Sequence, residues 1–169
     1  MNRLCRGAVF ASLALLGACA TLGQILQLQP PTFNVDGQHP AELHLLGPGM
    51  GHPTGGLSLR LYARVHNPNP LGVTLTTVAG ALSLEGQQAA NVSFPLGVPL
   101  GANQESVVPM DISISFSEIP GLANVAQKAL TGSPLRYSLQ GTFGVDAGAL
   151  GRPTFGPTQL LAGEVRAFR

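Results

Sequence analysis

The stretch LSLRLYARVHNPNP, residues 57–70, decides the architecture. Leu57, Leu59, Leu61, Ala63 and Val65 alternate with Ser58, Arg60, Tyr62, Arg64 and His66. A period of two is that of a strand with one face in a core and the other toward water. Asn67-Pro68-Asn69-Pro70 then ends it. Each proline lacks a backbone donor and holds the residue before it out of the helical region, so ladder pairing stops at or near Pro68.

Further strands are legible on either side. Residues 32–36 and 42–46 form two pieces of a first strand, broken by Gly37-Gln38-His39-Pro40. Residues 47–56, GPGMGHPTGG, read as a flexible loop. Residues 73–85 form a second long strand: Val73 and Leu75 share a face, then Val78, Gly80, Leu82 and Leu84 do. The flip near Thr76-Thr77 predicts a bulge or bend. Residues 89–94 read as a short hairpin partner, followed by the Pro/Gly-rich stretch 94–101. Val108, Met110, Ile112, Ile114 and Phe116 alternate through a strand over 105–117. Residues 119–130 read as a helix with Leu122, Val125, Ala126, Ala129 and Leu130 on one face, and Gly132 placed to end it. Residues 135–145 and 160–168 are the last strands. About seven alternating strands and one short α-helix predict an all-β, immunoglobulin- or fibronectin III-like β-sandwich.

The alternating strand closed by Asn67-Pro68-Asn69-Pro70 resembles the late embryogenesis abundant type 2 family, also called the WHy domain. The Pro/Gly stretch and Pro134-Leu135-Arg136-Tyr137-Ser138-Leu139-Gln140-Gly141-Thr142-Phe143 continue that resemblance over about residues 33–168. The resemblance implies the folded exception among late embryogenesis abundant proteins, a sandwich with one helix, and a role in desiccation or water-stress tolerance. In this reading Asn67, Pro68, Asn69 and Pro70 are a structural motif, because their residue types already account for a strand exit.

The N-terminus carries an address. Arg3 and Arg6 precede an apolar run at 8–16, and Leu16-Gly17-Ala18-Cys19 reads as a lipobox. Residues 1–18 are expected to be a lipoprotein signal peptide, 19–31 the lipidated Cys19 and a tether, and 32–169 the sandwich domain. The alternative, an uncleaved span, is opposed by Gln24, Gln27 and Gln29, which interrupt the run before the roughly 20 apolar residues a span needs. Two or three acyl chains on Cys19 hold a protein on a membrane durably, where one chain binds marginally. The expected location is the cell envelope, facing the periplasm or exterior.

Cysteine usage fits. Only Cys5 and Cys19 occur, so residues 20–169 contain no thiol for a disulfide, a thiolate metal ligand or a nucleophile. About 150 residues remain after processing, enough for one core. The hydrophobic fraction is 44% and the charged fraction 10%, the reverse of a disordered chain. Removing residues 1–18, which hold Arg3 and Arg6 and no acid, moves the formal charge from +1 to −1. Such a surface offers nothing to nucleic acid or to anionic lipid by charge alone.

No catalytic constellation stands out. His39, His44 and His52 lie in a Gly/Pro-rich region without the convergent spacing of a metal site, with Glu42 nearby. Glu118, Asp146 and Asp111 are isolated acids. There is no Gly-x-Ser-x-Gly elbow and no phosphate loop with its lysine. The reading is therefore of a non-enzyme without cofactor or metal. The stripe Arg60, Tyr62, Arg64, His66 is either a binding surface or a solvated face, and the second is favoured. Ser113, Ser115, Ser138, Gln140 and Thr142 are expected to present uncharged hydrogen-bonding groups outward.

Two functions remain. One is a membrane-anchored stress-protection lipoprotein that shields non-specific client proteins from inactivation or aggregation. The other is an envelope accessory lipoprotein whose sandwich binds a partner or ligand, which an apolar groove beside the helix would favour. The address makes one prediction. Mass spectrometry of the membrane fraction finds an acylated peptide beginning at Cys19, and Cys19→Ser abolishes it. An intact Met1 terminus in the wild type contradicts the lipobox.

Overall fold

A computed structural model describes residues 28–50, 52–117 and 123–168. Nine strands lie among the described residues: β1 (Thr32–Val35), β2 (Glu42–Leu46), β3 (Gly56–His66), β4 (Val73–Leu84), β5 (Gln87–Leu100), β6 (Glu105–Ser115), β7 (Leu135–Asp146), β8 (Thr154–Val165) and β9 (Ala167–Phe168). One helix, α1 (Ala123–Leu130), precedes β7. The strands form two sheets. In the first, β3 pairs with β6 on one side and with both β1 and β2 on the other, and β9 adds to β2 in parallel. The second has the order β5-β4-β7-β8. The all-β sandwich with one helix expected from the sequence is the observed architecture.

Alternation in β3 sets the core. Leu57, Leu59, Leu61, Ala63 and Val65 are all at 0% exposure. β6 runs antiparallel along the whole of β3 and places Ile114, Ile112, Met110 and Val108 opposite the first four of them. β4 and β7 supply the facing layer, with Leu75, Val78, Leu82, Leu84, Leu135, Leu139, Phe143 and Val145 buried. The predicted phase flip in β4 is a register shift between Leu75 and Thr77, seen against both β5 and β7. One extra residue there returns Val78 to the core. Gly80 and Gly141 face each other across β4 and β7. A Cβ on Gly80 would stand 2.1 Å from the Gln140 carbonyl oxygen, and one on Gly141 2.1 Å from that of Ala79.

Several boundaries depart from the sequence reading. The hairpin partner expected over residues 89–94 is the 14-residue β5, which runs through Pro95, Gly97 and Pro99. Those three occupy exposed positions, while Leu96, Val98 and Leu100 turn inward. β5 is an edge strand, so its prolines withhold donors that no neighbour needs. The last strand starts at Thr154 instead of 160, carrying Pro157 on another edge, and β9 crosses to the first sheet. The β4–β5 turn has Glu85 at φ 51° and Gly86 at φ 79°, the two left-handed residues of a tight type I′ hairpin.

The helix is described from Ala123, and residues 119–122 of the predicted segment lie outside the described residues. Val125 and Ala129 are buried, but Leu130 is 61% exposed and does not share their face in the core. Gly132 (φ 70°) ends the helix: its N–H donates to Ala129 O, and the Ser133 N–H donates to Lys128 O. That pair of bonds is a Schellman cap. No helix of the described residues is long and apolar enough to cross a membrane.

Core burial of this kind makes Leu61→Ala cost on the order of 2–5 kcal/mol. Gly141→Ala, which adds a single methyl group, also lowers the urea midpoint, because the carbonyl it meets belongs to a central strand. Unchanged midpoints for both variants contradict the core position of Leu61 and the β4–β7 register.

Candidate functional site

The Asn67-Pro68-Asn69-Pro70 segment leaves β3 with both asparagines turned inward and Pro70 exposed. Asn67 is at 0% exposure and Asn69 at 3%, two of the few buried polar residues. The Asn67 amide nitrogen donates to Leu71 O (2.9 Å), Gly101 O (3.0 Å) and Leu100 O (3.3 Å). Its carbonyl oxygen accepts from the Asn69 backbone N–H (3.1 Å) and the Asn69 amide (2.8 Å). The Asn67 N–H donates to Gln104 O, and Asn103, in a left-handed conformation at φ 52°, donates to Asn69 O. The two prolines have no N–H, so every backbone donor from 67 to 70 is used.

Asn69 continues the chain of bonds to the N-terminus. Its Oδ1 accepts from the Gln29 N–H (2.8 Å), and its Nδ2 donates to Gln29 O (2.9 Å). One carboxamide thus holds both backbone groups of one residue. Residues 28–31, expected to belong to the tether, join the fold instead: Leu28 packs on the core and Pro31 is buried.

A second cluster lies on the outer face of the first sheet. Asp36 is 1% exposed. Arg64 donates to its Oδ1 from both Nε and Nη2, and His39 Nδ1 lies 2.5 Å from its Oδ2. These bonds, that of Arg64 first and that of His39 second, outweigh burial and lower the Asp36 pKa from 3.8 to about 2. Arg60 and Tyr62 of the stripe are also engaged. Arg60 bonds Asp111 (2.5 Å), Tyr62 donates to Glu42 (3.0 Å) and stacks near His39, and Arg64 also reaches Glu105 (3.4 Å). The face is laced by its own ion pairs. Asp111 belongs to that lacing, and Asp146 pairs with Arg152 at 2.8 Å.

The other expected outward groups divide. Ser113 and Gln140 are exposed, and Ser138 and Thr142 half-buried, but Ser115 is 3% exposed and shares a hydrogen bond with Ser117. Ser115 sits at the end of β6 opposite Gly56, which has no side chain to hold it outward. His44 lies 3.9 Å from Glu42, while His52 belongs to a Gly49–His52 bridge and is half-buried with an unpartnered Nδ1. No three of His, Cys, Asp or Glu converge among the described residues. Glu118 and Cys19 lie outside them.

Among the cavities of the described residues, one lies beside α1 and another beside β1. The cleft beside α1, about 450 Å³, is lined by Glu85, Gln87, Asn124, Gln127, Lys128 and Thr131 over Val125. Glu85 bridges its floor, bonding Lys128 (2.5 Å) and the Arg136 N–H (2.8 Å), and these lower its pKa. The other, about 420 Å³, opens at the seam between β1 and β8. Phe33, Phe143 and Phe155 stack there, with ring centroids 4.8 and 5.4 Å apart. Pro30, Pro31 and Leu160 complete its apolar wall.

The matching family model, described as late embryogenesis abundant protein (LEA_2), covers residues 62–158. The chain belongs to that family. It is similar in fold to the solution structure of AT1g01470 from Arabidopsis thaliana, with TM-score 0.61 and 16% identity over 84% of this chain and 85% of that one. It is also similar to the solution structure of At2g46140.1, described as a candidate late embryogenesis abundant (LEA) protein, with TM-score 0.53 and 16% identity over 95% and 84%. No curated protein matches by sequence.

The sequence marks Asn67 and Asn69 but not their partners Gln29 and residues 100–104, nor Asp36. Nothing in the local pattern marks a carboxylate as buried when its arginine is 28 residues away.

These contacts have measurable consequences. Asn67→Ala removes the Asn67 partner of three carbonyls and two N–H groups, of which Gly101 O keeps the Gln104 N–H, and costs on the order of 3–5 kcal/mol. Asn67→Asp keeps the shape but aims an acceptor at three carbonyls, so it destabilises as well. For Asp36, the folded pKa lies below the unfolded one. Its stabilisation is therefore present above about pH 4 and is lost as pH falls toward 2. The gap in urea midpoint between wild type and Asp36→Asn should close over that window, and a gap independent of pH contradicts the pairing.

Proposed function

We propose that this late embryogenesis abundant protein is a membrane-anchored lipoprotein of the WHy type that protects neighbouring proteins during water stress. Membership in the family, on a match over residues 62–158, carries the reading. The lipobox ending at Cys19 supplies the anchor, and the short segment after it sets the domain close to the envelope membrane. The activity is stoichiometric shielding, not turnover. The ionic groups of the outer face satisfy one another, which leaves broad, weak contacts in place of charge-steered recognition of one partner. Hydroxyl and amide side chains such as Ser113 and Gln140 offer hydrogen bonds to client surfaces that lose water.

The accessory-module reading asked for an apolar groove beside the helix. The cleft there is lined mainly by amide, hydroxyl and charged side chains, which does not favour it.

The test dries a dehydration-sensitive enzyme with the protein, or with an equal mass of an unrelated β-sandwich, and measures activity on rehydration. Greater recovery with this protein supports the shield, and equal recovery removes it.

A further inference from the structure

Residues 28–35 lie across the sandwich as a strap, and what holds them is generic to polypeptide. Asn69 grips the N–H and the C=O of Gln29, groups that every residue but proline carries. Phe33 leans on Phe143, and β1 pairs with β3 from Thr32↔His66 to Val35↔Ala63. Beyond the strap, Asp36 is fixed separately by Arg64, His39 and its own N–H to Tyr62 O. Asp36 thus remains anchored when the strap lifts.

Apart from Leu28 and the buried Pro31, the strap is lightly held. β1 is four residues long, Phe33 is its half-buried residue, and Val35 is 40% exposed. It also underfills its cradle. The cavity of about 420 Å³ stays open beside Pro30, Pro31 and Phe33, and runs along Phe155, Gly156, Thr158 and Gln159 of the edge strand β8. A carboxamide that reads main chain, an aromatic seam and the end of β3 that β1 pairs are together the elements of strand-addition recognition.

We infer that the Asn69–Phe143–Phe155 cradle is a binding site for an extended polypeptide segment with apolar side chains, occupied in cis by residues 28–35 and opened to clients by displacement of that strap. The strap competes at the high effective concentration of a tethered ligand, so client affinity is reduced by the fraction of molecules in which the cradle is empty. This deepens the shielding role and rests on it for the identity of the partner as an unfolding client. A segment exposed by partial dehydration of a client is extended and apolar, which is the chemistry the strap displays.

The experiment measures fluorescence anisotropy of a labelled peptide of residues 28–35, LQPPTFNV, with the full-length protein. Phe33→Ala in the protein loosens the strap without altering the cradle and should tighten peptide binding about tenfold or more. Adding Asn69→Asp to Phe33→Ala should abolish the gain. Because that variant also touches Asn67, a ligand-side change guards the result. Methylating the peptide nitrogen at the Gln29 position removes the N–H that Asn69 accepts and should weaken binding with the protein untouched. No gain with Phe33→Ala, or equal binding of the methylated peptide, overturns the cradle. So does a Phe33→Ala protein that exchanges straps into dimers and takes no peptide. The drying assay is read separately. Peptide uptake without protection leaves the cradle standing and removes the shield; protection without uptake does the reverse.

Discussion

The Asn67 carboxamide uses all its hydrogen-bonding capacity at the point where the chain passes from one sheet to the other. Its donors hold Leu71, ahead of β4, and Leu100 and Gly101, at the end of β5; its acceptor holds Asn69. Its own N–H holds Gln104, ahead of β6. Four strand ends, two from each sheet, therefore meet at one residue. Residues 20–169 have no cysteine, so no disulfide shares this load. A buried amide is costly when unpaired, and here the cost is avoided only if every segment arrives in place. That is why the motif specifies the fold and does not merely end a strand.

What the sequence makes legible follows from where the physics is local. β3 can be read because its period of two continues for ten residues, and β6 because its apolar phase matches β3. The two pieces of the first strand and the crossover of the last one explain how a reading of about seven strands becomes nine. β5 is hidden by its prolines. Pro95 and Pro99 look like breakers in isolation, but on an edge they cost no ladder bond. Every proline inside a described strand, Pro95, Pro99, Pro109 and Pro157, lies on β5, β6 or β8, and all three are edges. Edge position is a tertiary fact that no window of sequence contains. The same holds for the site: Asn67 and Asn69 are visible as turn residues, but Gln29, Gly101 and Asn103 become their partners only after folding.

The edges also bear on function. Prolines blunt β5, β6 and β8 against unwanted pairing. The side on which β1 closes the seam to β8 is covered by a short strap and not by a full-length strand. The outer face of the first sheet is neutralised internally by Arg60–Asp111 and Arg64–Asp36 pairs. These edges and this face are thereby made inert, and an aromatic seam is left at the strap. This arrangement limits edge-to-edge self-association.

Native-state hydrogen exchange tests most directly whether the Asn67–Asn69 node joins the sheets as one cooperative unit. The amides of Asn67 and Asn69 bond within the node, and that of Asn103 closes it. In a cooperative unit all three exchange only through global unfolding, with the same free energy as the amides of Leu59 and Ile112 in the core. Exchange of Asn69 and Asn103 at the rate of an exposed loop, while β3 and β6 stay protected, would contradict it.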